Sequence, residues 1–288
     1  MYSLTTTFEE YFEGEQKKYP QLKLEDIYKL KESIDNETQL PPISDKKLIA
    51  FLQCTNFNLE EAKFTIINCY KCYLKIPEIF CNLDPLSPEI KKLYTTSSFG
   101  DLTLKCSGKG ECIVYWQFKD PDIKLYDCLS PIKLFHMWLE YKLLHCGTFD
   151  GLVIVVNTSG LSWRHVMKTP ISIMGELFVY AQRGIPIQIK SIYFINSGNA
   201  ISMLFKMLTP FIDKELMEKI KFYPVDSEEI FNYIPKNILP IEAGGSGKSH
   251  TFFCDEMYKN IATCTDILKK GNVELQKQLF INNEKYMD

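Results

Sequence analysis

The chain has 288 residues, of which 45% are hydrophobic and 13% aromatic, enough to bury the core of one or two domains. Its formal net charge of -3 argues against a general nucleic-acid binder, because phosphate contacts require clustered Lys and Arg. The N-terminus lacks the pattern of a secretion signal, and no window approaches the ~18 apolar residues of a membrane span. We therefore expect a cytoplasmic protein whose ten cysteines are reduced and buried.

Helical patterns fill the first part of the chain. Apolar side chains at helical spacing predict one amphipathic helix within residues 1–40, ended by a pair of prolines. Ser44 and Asn58 are suitable N-caps for two further helices. A proline-punctuated segment and a short helix then lead to a boundary near Thr95. We predict a helical subdomain over residues 1–95.

Strand patterns begin at Phe99. Two short apolar runs, 101–107 and 111–118, flank a glycine-containing turn and predict a hairpin. Residues 127–146 have the wide apolar face of a long helix. Two later runs, 151–160 and 185–196, carry apolar residues at both odd and even positions, as in strands buried on both faces. A helix-length segment joins them, which predicts a βαβ unit.

The second buried strand leads directly into an apolar helix, residues 200–211. Its apolar positions recur at three- and four-residue spacing: Ile201, Leu204, Phe205, Leu208 and Phe211. Without further information, such a helix most often packs on the core. The remaining residues, 246–288, are polar, with one predicted helix over 257–279 and no recognisable motif.

Several short motifs that would indicate catalysis or metal binding are incomplete. The string GGSGKS at residues 244–249 resembles a phosphate-binding loop, but Glu242 stands where that loop needs glycine. Cys69 and Cys72 form a lone CxxC inside a helical pattern, with no second pair at zinc spacing. No Ser, His and acid follow a known hydrolase order. We predict no enzyme, cofactor or metal site.

Four blocks of sequence resemble the CRAL-TRIO family of lipid-binding proteins, in particular the branch of retinaldehyde-binding protein and alpha-tocopherol transfer protein. The blocks are DKKLIAFLQCTNFNLEEAK, DGLVIVVNTSGLS, KSIYFINSGNAISMLFKMLTPFIDKEL and IPKNILPIEAGG, in the family's order. The resemblance implies an α/β fold in which the helical subdomain precedes a CRAL-TRIO domain over residues 96–245 and a tail over 246–288. In that domain, a mixed, mostly parallel sheet floors an apolar pocket covered by helices and by a lid, here residues 200–211.

The resemblance also assigns pocket walls by position. These ligand-binding candidates are Phe135, His136, Trp138, Leu139, Leu152, Ile154, Val156, Ile187, Ile189, Ile192, Ile201, Leu204, Phe205 and Leu208. Ordinary core packing is the alternative role, and both roles are compatible, since one sheet face can line a cavity while the other packs on helices. His136 and Trp138 are candidates for the polar contacts that orient a hydroxyl or carbonyl.

In the lipid-transfer branch, a basic cluster beside the lid binds phosphoinositide headgroups. Lys190 and Lys219 match basic positions of that cluster, but Glu215 and Met217 replace others, and residues 53–55 lack the usual arginines. Each Lys or Arg contributes about 1 kcal/mol at an anionic surface, so these losses weaken headgroup recognition. The phosphoinositide-binding candidates are Lys190, Lys206, Lys219 and Lys221, with a merely solvated face as the alternative.

The resemblance predicts a monomeric, non-enzymatic carrier. It would bind one small hydrophobic ligand, such as a retinoid, tocopherol, carotenoid or other lipid, and transfer it between membranes by opening the lid. Contact with the membrane surface would be transient. The alternative function is a lipid-sensing interaction protein that binds lipid or phosphoinositide and recruits a partner without net transfer.

Overall fold

The computed structural model describes residues 2–3, 5–35, 37, 40–103 and 110–271. Within this part, six helices precede the first strand: α1 (Phe8–Lys18), α2 (Leu24–Asp35), α3 (Asp45–Cys54), α4 (Leu59–Lys75), α5 (Pro77–Phe80) and α6 (Pro88–Thr96). The sheet and its helices follow as β1 (Ser97–Asp101), β2 (Glu111–Phe118), α7 (Ser130–His145), β3 (Gly151–Asn157), α8 (Trp163–Lys168), α9 (Ile171–Arg183), β4 (Ile189–Ser197), α10 (Asn199–Leu208), α11 (Lys214–Lys219), β5 (Ile220–Pro224) and α12 (His250–Ala262).

The front end contains two helices where the sequence pattern predicts one within residues 1–40, so that prediction is wrong. Pro20 lies between α1 and α2, and proline cannot continue a helix because it lacks an N–H donor. The predicted caps of the next two helices are confirmed. The Ser44 hydroxyl accepts a hydrogen bond from the N–H of Lys47, and the Asn58 side chain accepts from the first turn of α4.

The five strands form one sheet in the order β1-β2-β3-β4-β5. β1 pairs antiparallel with β2, whereas all later neighbours are parallel. This confirms the predicted mixed, mostly parallel sheet. The first strand of the predicted hairpin was expected over residues 101–107, but β1 covers Ser97–Asp101. Residues 104–109 lie outside the described part of the chain.

A one-residue bulge changes the facing of β4. Leu152 pairs with Ile189, but Val153 pairs with Ser191, so Lys190 is an extra residue in the ladder. Strict alternation would place Ile189 and Tyr193 on the same face. Because of the bulge, Ile189 packs in the same core as Ile192, while Tyr193 packs in a different one.

The two faces of the sheet carry separate cores. The larger core lies between the sheet and the helices α7, α9 and α10, and continues into the front-end helices. The smaller core includes Val153, Val155 and Tyr193, and is covered by the segment containing Ile234 and by Phe253 of α12. Both central strands are therefore buried on both faces, as their uninterrupted apolar runs predict.

The tail departs from its predicted limits. α12 begins at His250, where Ser249 caps it, and ends at Ala262, so the prediction of one helix over 257–279 is wrong in its described part. A further helical segment covers residues 265–271, and residues 272–279 lie outside the description. No helix among the described residues is long and apolar enough to cross a membrane.

Eight cysteines are free thiols, as expected, and six of them are buried, but Cys54 and Cys128 are only half-buried. Cys146 is disulfide-bonded, so the expectation is wrong there, and Cys106 falls outside the described residues. The predicted subdomain boundary near Thr95 lies at the end of α6 and stays a prediction.

A buried polar contact joins the front end to α7. The ammonium of Lys47 on α3 lies 2.6 Å from the carboxylate of Glu140, and both side chains are at most 20% exposed. His136 is one turn away on α7 and 3% exposed. Burial lowers the pKa of its imidazole to about 4, with Lys47 acting in the same direction and Glu140 against it.

We expect this imidazole to make stability depend on pH. In the unfolded chain its pKa is near 6.5, so between about pH 4 and pH 6.5 the unfolded state binds a proton that the folded state does not. The free energy of unfolding should therefore fall as pH drops through this window, by up to about 3 kcal/mol. Urea unfolding should show a smaller loss between about pH 7 and pH 4.5 in His136→Met than in the unmodified protein.

Between about pH 7 and pH 8 neither state binds this proton, so the two proteins should show the same pH dependence there. An equal loss of stability in both proteins on acidification would contradict a neutral, buried His136.

Candidate functional site

The predicted lid is present as a helix lying on the larger core. α10 covers Asn199–Leu208, and a 3₁₀ turn over Thr209–Phe211 extends it to the predicted end. Four of its apolar side chains are buried: Ile201, Leu204, Phe205 and Leu208. The fifth, Phe211, is 39% exposed, and its ring lies against Gly175 of α9, where a Cβ would come within 2.7 Å of it.

An aromatic cluster holds the underside of α10 on the sheet. The ring of Phe205 lies 4.9 Å from that of Phe194 on β4 and 4.8 Å from that of Phe222 on β5. Phe194 and Phe222 stack on each other at 5.2 Å. Phe178 of α9 completes the cluster, 6.1 Å from Phe205. The helix is thus held over the last two strands by apolar ring contacts.

The two ends of α10 are attached differently. At its C-terminal end, the Gln182 side chain of α9 donates to the carbonyl of Phe211 and accepts from the N–H of Asp213. At its N-terminal end the cap residue is Gly198, which makes no side-chain cap, and a Cβ there would meet no atom within 4 Å.

The predicted pocket walls on the sheet lie in the larger core. Leu152 is fully buried, and Ile154 and Val156 are half-buried on the same face of β3. Ile189 and Ile192 of β4 join them because of the bulge, and Ile187 precedes the strand in the same core. The structure therefore brings these side chains onto the face that α10 covers. Their contact with a ligand stays a prediction.

Trp138 is buried but its polar atom is already used. The indole N–H donates to a carboxylate oxygen of Asp101 at 3.1 Å, and the ammonium of Lys142 lies 2.7 Å from the same oxygen. An indole has no other donor or acceptor, so Trp138 can offer a ligand only apolar contact. Its neighbours on α7, Phe135 and Leu139, are half-buried and buried in the larger core.

His136 points toward the front end rather than toward α10. Its ring lies 5.1 Å from that of Tyr73 on α4 and 4.9 Å from that of Phe80 on α5, edge-on to both. Its Nδ1 is buried and has no hydrogen-bond partner within the described residues. Among the predicted polar contacts, it is the one that retains an unused atom.

Two of the four candidate lysines line a groove of about 500 Å³ beside α11. Lys190 and Lys219 lie in it, whereas Lys206 is exposed on α10 and the ammonium of Lys221 lies 4.0 Å from the ring of Tyr233. The groove carries as many acids as bases among its lining residues: Arg183, Lys190 and Lys219 against Glu61, Asp213 and Glu215. Lys219 is paired with Glu215 at 2.7 Å.

Exposed apolar side chains beside α10 were not predicted. Trp163 and Met167, on α8, are 62% and 66% exposed. Met203 and Met207, on the outer face of α10, are each 41% exposed, and α8 packs against α10. The sequence does carry a signal for them. Trp163 and Met167 lie four residues apart, on one face of a short and mostly polar helix.

One arrangement resembles a hydrolytic triad, but its serine is closed to substrates. The hydroxyl of Ser98 lies 2.9 Å from Nδ1 of His250, whose Nε2 is 3.8 Å from the carboxylate of Glu242. Ser98 is 1% exposed in β1, so a substrate cannot reach it. These contacts attach α12 to the sheet. Among the described residues, no group of three His, Cys, Asp or Glu side chains could hold a metal ion.

The sequence matches two family models. The CRAL/TRIO domain matches residues 105–245, and a Pinta-like UBA domain matches residues 19–90. Among solved structures, the crystal structure of Sfh5 is similar with a TM-score of 0.47 and 14% identity, covering 85% of this chain and 90% of that one.

Curated relatives share about a quarter of their residues with this chain. An alpha-tocopherol transfer protein-like protein of Pongo abelii is 24% identical over 266 residues, which are 86% of this chain and 77% of that protein. The protein of the same description from Mus musculus is 25% identical over 231 residues, 79% of this chain and 66% of its own length. The domain match, these relatives and the mixed, mostly parallel sheet agree: the chain contains the domain that defines the CRAL-TRIO family.

Proposed function

We propose that this chain is a non-enzymatic lipid carrier. It binds one small hydrophobic molecule in the larger core, between the sheet and α10, and exchanges it with membranes from the cytoplasm as a monomer. The observation that supports this most is the two-sided character of α10. Its underside is buried on an aromatic cluster, while Met203 and Met207 face outward beside Trp163 and Met167. The names of the relatives point to the same class of function.

The exchange follows from a shift between two states of α10. With the helix closed, Phe205 and Leu208 keep the ligand from water. At a membrane, Trp163, Met167 and the outer methionines enter the interface first, since they are already exposed. The open helix can then place its buried side chains in lipid instead of water, so the membrane favours opening and the cytosol favours closing.

Two aspartate substitutions should separate ligand retention from membrane docking. Phe205→Asp places a charge in the aromatic cluster, so the closed state should lose its ligand and the protein should purify with less bound lipid. Trp163→Asp should keep the bound lipid but slow its transfer to vesicles about tenfold, because a main docking side chain is removed. A fluorescent-lipid transfer assay, with bound lipid quantified by mass spectrometry, measures both effects.

Tyr28→Asp is the matched control, since Tyr28 is 55% exposed on α2, a helix that packs against α3 and α4. It should change neither retention nor transfer. Unchanged transfer by both Phe205→Asp and Trp163→Asp would exclude α10 as the lid.

The groove supports a second candidate, a lipid-sensing protein that binds a phosphoinositide headgroup and recruits a partner. Lys190 and Lys219, which the resemblance assigns to such a headgroup, line the groove, but Glu215 forms an ion pair with Lys219 and the acidic side chains equal the basic ones in number. A multiply charged phosphate needs a net positive site. We therefore propose that headgroup binding contributes little and that the carrier function predominates.

Reversing one charge should create the missing affinity. Glu215→Lys frees Lys219 and adds a cation to the groove, so binding to vesicles that contain phosphatidylinositol bisphosphate should rise about tenfold or more. Vesicle co-sedimentation with and without that lipid measures it. Glu218→Lys adds the same charge to an exposed position of α11 outside the groove and should have a much smaller effect. Tight, phosphoinositide-dependent binding by the unmodified protein would contradict the proposal.

A further inference from the structure

The short helix α8 exposes an apolar pair and a basic pair side by side. Trp163 and Met167 lie one turn apart and are 62% and 66% exposed. Arg164 and Lys168, each the next residue along the chain, are exposed as well, and the guanidinium of Arg164 lies 5.7 Å from the ring of Trp163. Residues 165–166 are buried and hold the helix on the protein. Large apolar side chains beside cations are typical of helices that lie in a membrane interface.

A groove of about 660 Å³ adjoins the basic side of this helix. Three lysines from different segments line it: Lys92 on α6, Lys124 in the loop between β2 and α7, and Lys168 at the end of α8. None of the three forms an ion pair with a residue that the structure describes. The ammonium of Lys168 donates to the carbonyls of Ile123 and Tyr126 at 3.0 and 3.3 Å, which leaves its charge without a counterion.

The two acids that line this groove are engaged with α7. Asp127 accepts hydrogen bonds from the backbone N–H groups of Leu129 and Ser130 and from the Ser130 hydroxyl. Glu89 accepts from the same hydroxyl and lies 3.4 Å from the ammonium of Lys133. Because both carboxylates already have donors in the protein, the lysines determine the sign of the potential in the groove.

This groove differs in charge from the groove beside α11. In the groove beside α11, Lys219 is paired with Glu215 and the acids equal the bases in number. The groove beside α8 has three bases against two acids. Two further acids of its loop, Asp120 and Asp122, lie outside the lining and accept N–H groups of the loop itself, so they weaken the positive potential without pairing with the lysines. An anionic surface should therefore be attracted to the side of α8.

We propose that α8 and this groove form a surface for membranes that contain anionic lipid. Trp163 and Met167 enter the interface while Lys92, Lys124 and Lys168 approach the negatively charged headgroups. Under the proposed carrier function, on which this inference rests, the surface selects the membrane that exchanges the ligand: a leaflet containing singly charged lipids such as phosphatidylserine. Lysines act as point charges without bidentate geometry, so the surface responds to charge density and not to one headgroup.

Binding of the full chain to vesicles of phosphatidylcholine, with and without phosphatidylserine, tests the proposal. Co-sedimentation at low ionic strength should show about thirtyfold tighter binding when phosphatidylserine is present, since each cation near an anionic surface contributes about fivefold and the acids of the loop oppose part of this. The gain should fall to about twofold in 1 M salt, where the Debye length is about 3 Å.

A double substitution, Lys92→Gln with Lys124→Gln, should reduce the phosphatidylserine gain about tenfold or more. The variant should fold, because both side chains are exposed and neither ammonium has an ion-pair partner among the described residues. Binding to vesicles of phosphatidylcholine alone should not change. Trp163→Asp should instead weaken binding to both kinds of vesicle, since it removes apolar contact and not the lysines.

Lys236→Gln with Lys248→Gln is the matched control. It changes the net charge equally, but these exposed lysines lie over the rings of Phe231 and Phe252 on the other face of the sheet, so the phosphatidylserine gain should persist.

Absence of the gain in the unmodified protein would overturn the inference, as would a gain that survives in the Lys92 and Lys124 variant. A gain lost in Lys190→Gln but not in that variant would place the anionic surface beside α11 and overturn it as well. Transfer of lipid between neutral vesicles tests the carrier function separately. If the unmodified protein transfers no lipid with either kind of vesicle, both proposals are wrong.

Discussion

A single extra residue in β4 determines which side chains α10 covers. The bulge at Lys190 reverses the alternation of the strand, so Ile192 and Phe194 face α10 while Tyr193 and Ile195 face the smaller core. Without it, a polar phenol would lie beneath α10 and Phe194 would leave the aromatic cluster. The same bulge directs the Lys190 side chain across Gly151, where a Cβ would lie 2.4 Å from it, and into the groove.

Helix α7 is fixed between sheet and front end by two separate ion pairs. Lys142 pairs with Asp101 of β1, and Glu140 pairs with Lys47 of α3. Removing one partner of the fully buried Lys142–Asp101 pair leaves a buried charge, which typically costs about 3–5 kcal/mol, so this pair strongly constrains the rotation of α7 about its axis. This rotation directs Trp138 toward β1 and His136 toward the front end. The positions of the Trp138 and His136 side chains therefore depend on these two ion pairs.

Local signals in the sequence were sufficient for much of the fold. The uninterrupted run of β3, the three- and four-residue spacing in α10, and the caps Ser44 and Asn58 depend on neighbouring residues only, and each predicted its element. The bulge at Lys190 could not be predicted, since it depends on pairing with another strand. Pro20 does indicate the break between α1 and α2, but the apolar periodicity of the surrounding residues led to the prediction of a single helix.

The candidate site was less predictable than the fold because contacts between distant residues decide its chemistry. Trp138 loses its donor to Asp101, which lies 37 residues earlier. The charge of the groove depends on Glu215 standing one turn from Lys219, a pairing visible in sequence, and also on Glu61 of α4, which only the tertiary structure brings there. Which face of α7 carries His136 likewise follows from helix packing.

The unequal attachment of α10 has a consequence for the path of a ligand. Gln182 binds the backbone on both sides of Ile212, whereas the opposite end begins at Gly198 without a side-chain cap. Under the proposed carrier function, movement of the C-terminal end of α10 would break both Gln182 hydrogen bonds, whereas the end next to Gly198 has no side-chain cap to break. The exposed side chains of Trp163 and Met167 lie on α8, which packs against α10, so a ligand released by such a movement would pass close to an apolar surface.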